Sequence, residues 1–284
     1  IARGEKSLDV EDLLGSLDDL LIDLATMGGD HPLGYLLRHG KLRSVVDTVD
    51  HMAPAADNLC KAADHLRGLI YDEVHATYGR SPELSLLEDT WIPLLDTILR
   101  SDVPLELYTT NYDCIIETAL ESLSPPLADR IDIGHRESGG RPVLDLGRWH
   151  TDHSMLTKLH GSLDWRWSAS RETIVPWGLT QRDGGNTVML YPGYKGAPTE
   201  YPYSLFYEHL HRSILQTEAA LFIGYAFRDR ALNDILVTAP ATMRKIILNP
   251  EMPTDSPFPP DSVDHIDSGF RDGLTSAVEM AFDV

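Results

Sequence analysis

One run, AALFIGYAF from Ala219 to Phe227, constrains the fold more than any other. It is apolar at nearly every position. A half-exposed strand alternates apolar and polar residues, whereas a continuous apolar run is what a strand buried on both faces requires. Strands of that kind belong to parallel sheets covered by helices. A helix-forming stretch, RDRALNDILVTA, follows it, and RKIILNPE then reads as one more buried strand. The same alternation begins earlier. LELYTTNYD, from Leu105, is rich in strand formers and leads into helical CIIETALESL. SMLTKLHG and VMLYPGYKGAP are further strand candidates, and RIDIGH contains a short one. PYSLFYEHLHRSILQTE is an amphipathic helix, and SGFRDGLTSAVEMAFDV closes the chain as a helix. Short apolar strands separated by helices predict an α/β fold with a largely parallel sheet.

The first hundred residues have a different texture. SLDVEDLLGSLDDLLIDLAT places Val10, Leu13, Leu14, Leu17, Leu20, Leu21 and Leu24 on one helical face after a Ser7 cap. Helical patterning continues through SVVDTVDHMAPAADNLCKAADHLRGLIYDEVHATYG, with an interruption near Pro54. In SPELSLLEDTWIPLLDTILRSD, Ser81 caps a helix and Pro82 takes its first position. The expected organisation is a helical subdomain over residues 1–102 and a strand-containing part over 103–284. PEMPTDSPFPPD is a proline-rich loop before the last helix.

Charge and cysteine content exclude several functions. Asp and Glu number 44 against 24 Lys and Arg, for a formal charge of −20. Such a chain repels a phosphate backbone, so direct nucleic-acid binding is not expected. The sequence has only two cysteines, Cys60 and Cys114, which give neither a disulfide framework nor a CxxC zinc site. A reducing cytoplasm is the expected compartment. No apolar run is long enough to span a membrane and no signal peptide is evident. The start at Ile1 rather than Met leaves room for an upstream segment. There is no GxxxxGK[ST], no GxSxG and no HExxH. His150 and His153 lie close together but lack a third ligand, and read as loop residues.

In parallel α/β sheets, ligands sit beyond the carboxyl ends of the strands. Four polar clusters fall there: TTNYD, HG, GYAFRD and NPE. Asn111 and Asp113 could face a ligand, or simply cap the following helix. His160 could be a base near neutral pH, or a packed structural histidine. Gly161 would let a ligand approach the backbone. Gly224 stands at a strand-to-helix junction of the kind that binds phosphate, but a tight turn also favours glycine. Asn249 precedes a proline, a common turn, and could hold a ribose hydroxyl.

TTNYD, KLHGSLDW, YPGYKGAP, LFIGYAFRDRALNDIL and ILNPE, in that order, resemble the sirtuin-like family over roughly 105–270. In particular they resemble its bacterial and archaeal branch that cleaves NAD in anti-phage defence. DVEDLLGSLDDLL is similar to the early helical insertion of that branch. The resemblance implies a Rossmann-like domain with a helical subdomain, and NAD as substrate. It assigns Asn111 to the ribose and the attacking water, and Asp113 to the nicotinamide amide. His160 becomes the catalytic histidine at the ribose hydroxyls. Thr110 and Gly161 flank these groups, Gly224 and Tyr225 form the turn near the phosphates, and Asn249 lies near the adenosine ribose. Two features depart from the family. Its Gly-Ala-Gly turn under the pyrophosphate is missing before Leu8, where the chain reads IARGEKS. The four-cysteine zinc module of protein deacylases cannot be built from two cysteines, so no zinc is expected. The implied activity is NAD hydrolysis to nicotinamide and ADP-ribose, in a homo-oligomer or beside a HerA-type translocase or short Argonaute. A protein deacylase or ADP-ribosyltransferase, and a non-catalytic NAD or ADP-ribose sensor, are the competing readings.

Overall fold

The structure is a computed structural model. It describes residues 84–100, 104–128, 130–138, 141–145, 154–168, 173–176, 187–190 and 198–282, with scattered positions between 65 and 76. The N-terminal helix from Ser7, Cys60, His150, His153 and most of YPGYKGAP lie outside the described residues. The chain divides into two compact units, Ile1–Glu73 with Tyr191–Lys195, and Val74–Leu190 with Gly196–Val284. In the first, the described residues His65, Gly68, Leu69, Tyr71 and Asp72 are helical.

The second unit is the α/β fold that the strand pattern predicts. Helices α1 (Leu84–Glu88) and α2 (Trp91–Arg100) lead into β1 (Glu106–Thr109), α3 (Ile115–Glu121), α4 (Pro125–Ala128) and β2 (Ile131–Asp132). A hairpin of β3 (His135–Ser138) and β4 (Arg141–Leu144) follows, then β5 (Ser154–Lys158), β6 (Gly161–Trp167), β7 (Ile174–Pro176) and β8 (Thr187–Met189). The chain continues through α5 (Tyr203–Ile214), β9 (Ala219–Ile223), α6 (Arg230–Leu236), β10 (Arg244–Leu248), β11 (Asp264–Ile266) and α7 (Phe270–Phe282). Two three-stranded sheets are wholly parallel. One has the order β1-β5-β2 and the other β11-β10-β9. A third sheet, β7-β6-β8, is antiparallel, and its Trp165, Ile174 and Val188 share a core with Met155 of β5.

Helix α5 shows why the layers form. Tyr203, Phe206, Tyr207, Leu210 and Ile214 recur at helical spacing and are all buried. Phe206, Tyr207 and Leu210 pack with Met155 and Leu159 around β5, Trp165 of β6, and Ala231 and Leu232 of α6. Burying one such side chain is worth ~1.5–3 kcal/mol. On the other side, Leu87, Leu95 and Leu99 of α1 and α2 pack with Ile116, Leu120, Ile131 and Leu156. Pro93 is tolerated in α2 because it falls in the first turn, where its missing N–H would have no helical partner.

Two details differ from the sequence expectation. Strand β9 is not buried on both faces: all five of its residues are half-buried, because among the described residues it pairs only with β10. The fully enclosed strand is β10, where Lys245 to Leu248 are buried. Residues 161–167 also form a strand that apolar periodicity does not predict. Arg166 is buried within it, and its guanidinium donates to the carbonyls of Leu163 and Trp165.

Candidate active site at the strand ends

Strand register decides which polar clusters meet. Thr109 of β1 pairs with Lys158 of β5, so Asn111 and His160 each lie two residues beyond paired positions on neighbouring strands. Ile223 of β9 pairs with Leu248 of β10, so Gly224 and Asn249 each lie one residue beyond. The four candidates therefore form two neighbouring pairs, each at the carboxyl end of a parallel sheet.

His160 is 6% exposed. Its Nε2 lies 3.0 Å from Asp229 Oδ2 and 3.2 Å from Tyr207 Oη. The Tyr207 phenol donates to the same carboxylate oxygen at 3.3 Å. Tyr112 adds a tilted ring contact to the imidazole, with centroids 6.3 Å apart. Asp229 belongs to the chain's own architecture as well. It is the N-cap of α6, and its Oδ1 accepts the Leu232 N–H at 3.0 Å. Burial pushes the Asp229 carboxyl up. The hydrogen bonds from His160 and Leu232, with the charge of His160, outweigh this and hold it below the usual carboxylate range. Burial, and then the Asp229 charge, push the Tyr207 phenol well above its ordinary value, so it stays a proton donor. Tyr225 is pushed up by the same two causes, and its buried hydroxyl has no hydrogen-bond partner among the described residues.

Asn111 stands in the open. It is exposed, its N–H donates to Thr109 Oγ1 at 3.0 Å, and its side-chain amide makes no hydrogen bond among the described residues. Thr110 beside it is half-buried. Asp113 is used in the helix start, where its Oδ1 accepts the Ile115 N–H at 3.0 Å. Beneath this turn lies Lys158, whose side chain is 3% exposed. Its ammonium donates to the Asp113 carbonyl and, at 2.8 Å, to Glu117 Oε1. Burial works against the Lys158 charge, but Glu117, Cys114 and Asp164 outweigh it and raise its value, so it remains an ammonium. Burial raises Glu117 in spite of its partner. Cys114 is buried and its thiol is pushed up to about 12, chiefly by desolvation, so it is a packing group rather than a nucleophile.

Each glycine has its own reason. Gly161 joins β5 to β6 with φ +82°, and a Cβ there would stand 2.0 Å from the Val188 carbonyl oxygen. Close pairing with β8 therefore demands a glycine, apart from any ligand. Gly224 has φ +61° and, among the described residues, nothing within 4 Å of where a Cβ would be. Tyr225 packs on Phe227 at 4.6 Å, and its carbonyl accepts from Asn249 Nδ2 at 3.4 Å. Phe227, fully buried, holds a left-handed φ of 57°, an uncommon state for an aromatic residue.

Asp229, Tyr207 and Lys158 have no assigned role in the sequence reading. Asp229 leaves one local signal, a carboxylate three residues ahead of Leu232 at a helix start. The other two leave none. Among the described residues no group of three or more His, Cys, Asp or Glu could hold a metal ion, and no helix is long and apolar enough to cross a membrane.

Parallel strands flanked by helices define a Rossmann-like α/β protein, and the buried histidine and the open amide lie at adjacent carboxyl ends of its strands. The family model of the SIR2-like domain matches residues 105–255, more than half the chain, and covers the carboxyl ends of β1, β5, β9 and β10. The chain belongs to the SIR2-like domain family. No curated protein matches its sequence. Membership makes it an NAD-binding or NAD-processing protein.

Proposed function

We propose that the chain is an NAD glycohydrolase. The observation that carries this is the placement of Asn111 beside His160 at the ends of β1 and β5, inside the matched domain. Cleavage of the nicotinamide–ribose bond sends the bonding electron pair to the nicotinamide nitrogen, neutralising its charge. A water oxygen bonds to the anomeric carbon and loses one proton to solvent. The products are nicotinamide, ADP-ribose and a proton. The nicotinamide is held as a cationic pyridinium and leaves as a neutral molecule, so no strong acid is needed. The site has to hold the ribose, keep other nucleophiles out and aim one water. His160 accepts from a ribose hydroxyl, and the free amide of Asn111 orients the water. Asp113 serves the nicotinamide amide through the carboxylate oxygen not used at Ile115. Gly224, Tyr225 and Asn249 receive the phosphate and adenosine side, where the backbone is open.

Hydrolysis is favoured over protein deacylation because two cysteines cannot furnish four thiolates to a zinc module. In this reading the chain is the NAD-depleting effector of an anti-phage system, working as a homo-oligomer or with a HerA-type translocase or short Argonaute. Purified chain incubated with NAD and followed by chromatography should yield nicotinamide and ADP-ribose without any acyl-lysine peptide. Turnover only when such a peptide is added would establish a deacylase instead. Binding without turnover would establish a sensor.

A further inference from the structure

The His160 ring is held by one nitrogen. Nε2 meets Asp229 at 3.0 Å and Tyr207 at 3.2 Å, while Nδ1 makes no hydrogen bond among the described residues. An ionised carboxylate only accepts, and a ring nitrogen without its hydrogen also only accepts. Two acceptors facing each other at 3.0 Å repel, so this contact requires the hydrogen on Nε2. Tyr207 is consistent with that arrangement, since its own hydrogen goes to the same Oδ2. Asp229 is also fixed from behind, because Oδ1 is engaged in capping α6. In the neutral ring the lone pair is then on Nδ1.

We propose that Asp229 is a positioning residue that locks His160 in the Nε2–H tautomer and makes Nδ1 the nitrogen that accepts from the substrate hydroxyl. A buried aspartate can set the tautomer and orientation of a histidine base in this way. The assignment of a ribose hydroxyl rests on the NAD-cleaving reading; the tautomer itself does not.

Asp229→Asn is the informative variant. Asparagine caps a helix as well as aspartate. Capping keeps its carbonyl oxygen on Leu232 N–H and turns its NH2 towards Nε2. That donor favours the opposite tautomer, with the hydrogen on Nδ1. The tautomer is read by nitrogen-15 spectra of labelled histidine at a pH where the ring is neutral, with the His160 signals identified by their loss in His160→Gln. The expected result is Nε2–H in the unmodified chain and Nδ1–H in Asp229→Asn. The kcat for NAD should fall in the same variant, within the ~10²–10⁴-fold that a positioned base contributes. KM and Tm should change little, and Tyr207→Phe should keep the tautomer. Nδ1–H in the unmodified chain, or an unchanged tautomer in Asp229→Asn, would overturn the proposal. If the tautomer switches as expected but the unmodified chain leaves NAD intact, the NAD reading falls and the role of Asp229 stands.

Discussion

The two parallel sheets end in opposite ways. At the β1 and β5 ends, polar groups are packed and paired: His160 on Asp229, Lys158 on Glu117, Asp113 on its own helix start. At the β9 and β10 ends, Gly224 is exposed, with no described residue within 4 Å of where a Cβ would be, and Asn249 is half-buried. The first end is preorganised around His160 and Lys158, because hydrogen-bonded groups in the interior fix the geometry before any ligand arrives, while Asn111 stands open beside them. In the proposed function the second end receives the ligand. On that reading the difference separates chemistry from binding, and substitutions at the two ends should fail in different assays.

The largest effects belong to the packed end. His160→Ala and Asn111→Ala should each lower kcat for NAD by ~10²–10⁴-fold while the circular dichroism spectrum stays that of the parent. Full activity in His160→Ala would remove the histidine from the chemistry. Next comes Lys158→Met, which strands the Glu117 carboxylate in the interior. Breaking a buried pair in this way costs ~3–5 kcal/mol, measurable by urea denaturation, and a second change, Glu117→Gln, should recover much of it. Recovery is the sign of an ion-pair brace, since a pure packing defect would only worsen.

The glycines sharpen the comparison. Gly161→Ala must bring a left-handed alanine against the Val188 carbonyl, so its loss of stability should exceed the ~1–2 kcal/mol of the backbone conformation alone. Gly224→Ala meets no neighbour among the described residues and should lose only that ~1–2 kcal/mol, yet raise the KM for NAD. Equal stability losses at the two sites would erase the distinction between a packed and an open strand end. The smallest effect is on pH dependence. Asp229 has a depressed folded-state value, so its stabilisation is present above the ordinary carboxylate value of ~3.9 and is lost as pH falls through the folded value. The small stability gap between the parent and Asp229→Asn should therefore stay constant at neutral pH and close as acid is added below ~3.9. A gap that widened in acid would contradict this sign.

The sequence discloses the strand ends better than it discloses their partners. Asn111, His160, Gly224 and Asn249 are legible because each follows an apolar run, and the strand-end rule is local. Asp229 and Tyr207 are not legible as partners of His160, since they lie 69 and 47 residues further along the chain. Lys158 reads only as a basic residue in KLHG, because its partner Glu117 lies 41 residues away on α3. Gly161 reads as clearance for a ligand, whereas the neighbour that demands it is Val188, brought there by the pairing of β6 with β8. Burial of β9 is misjudged for a related reason: periodicity reports that a strand is apolar, but strand order decides its neighbours, and among the described residues β9 pairs on one side only.

The central claim is that Asn111 and His160 act together in one cleavage step. A double-mutant cycle on kcat for NAD tests it most directly. Residues that work as a unit are non-additive, so Asn111→Ala/His160→Ala should be about as slow as the slower single variant. A double variant whose loss equals the product of the two single losses would show that the residues act independently, and would contradict the shared site.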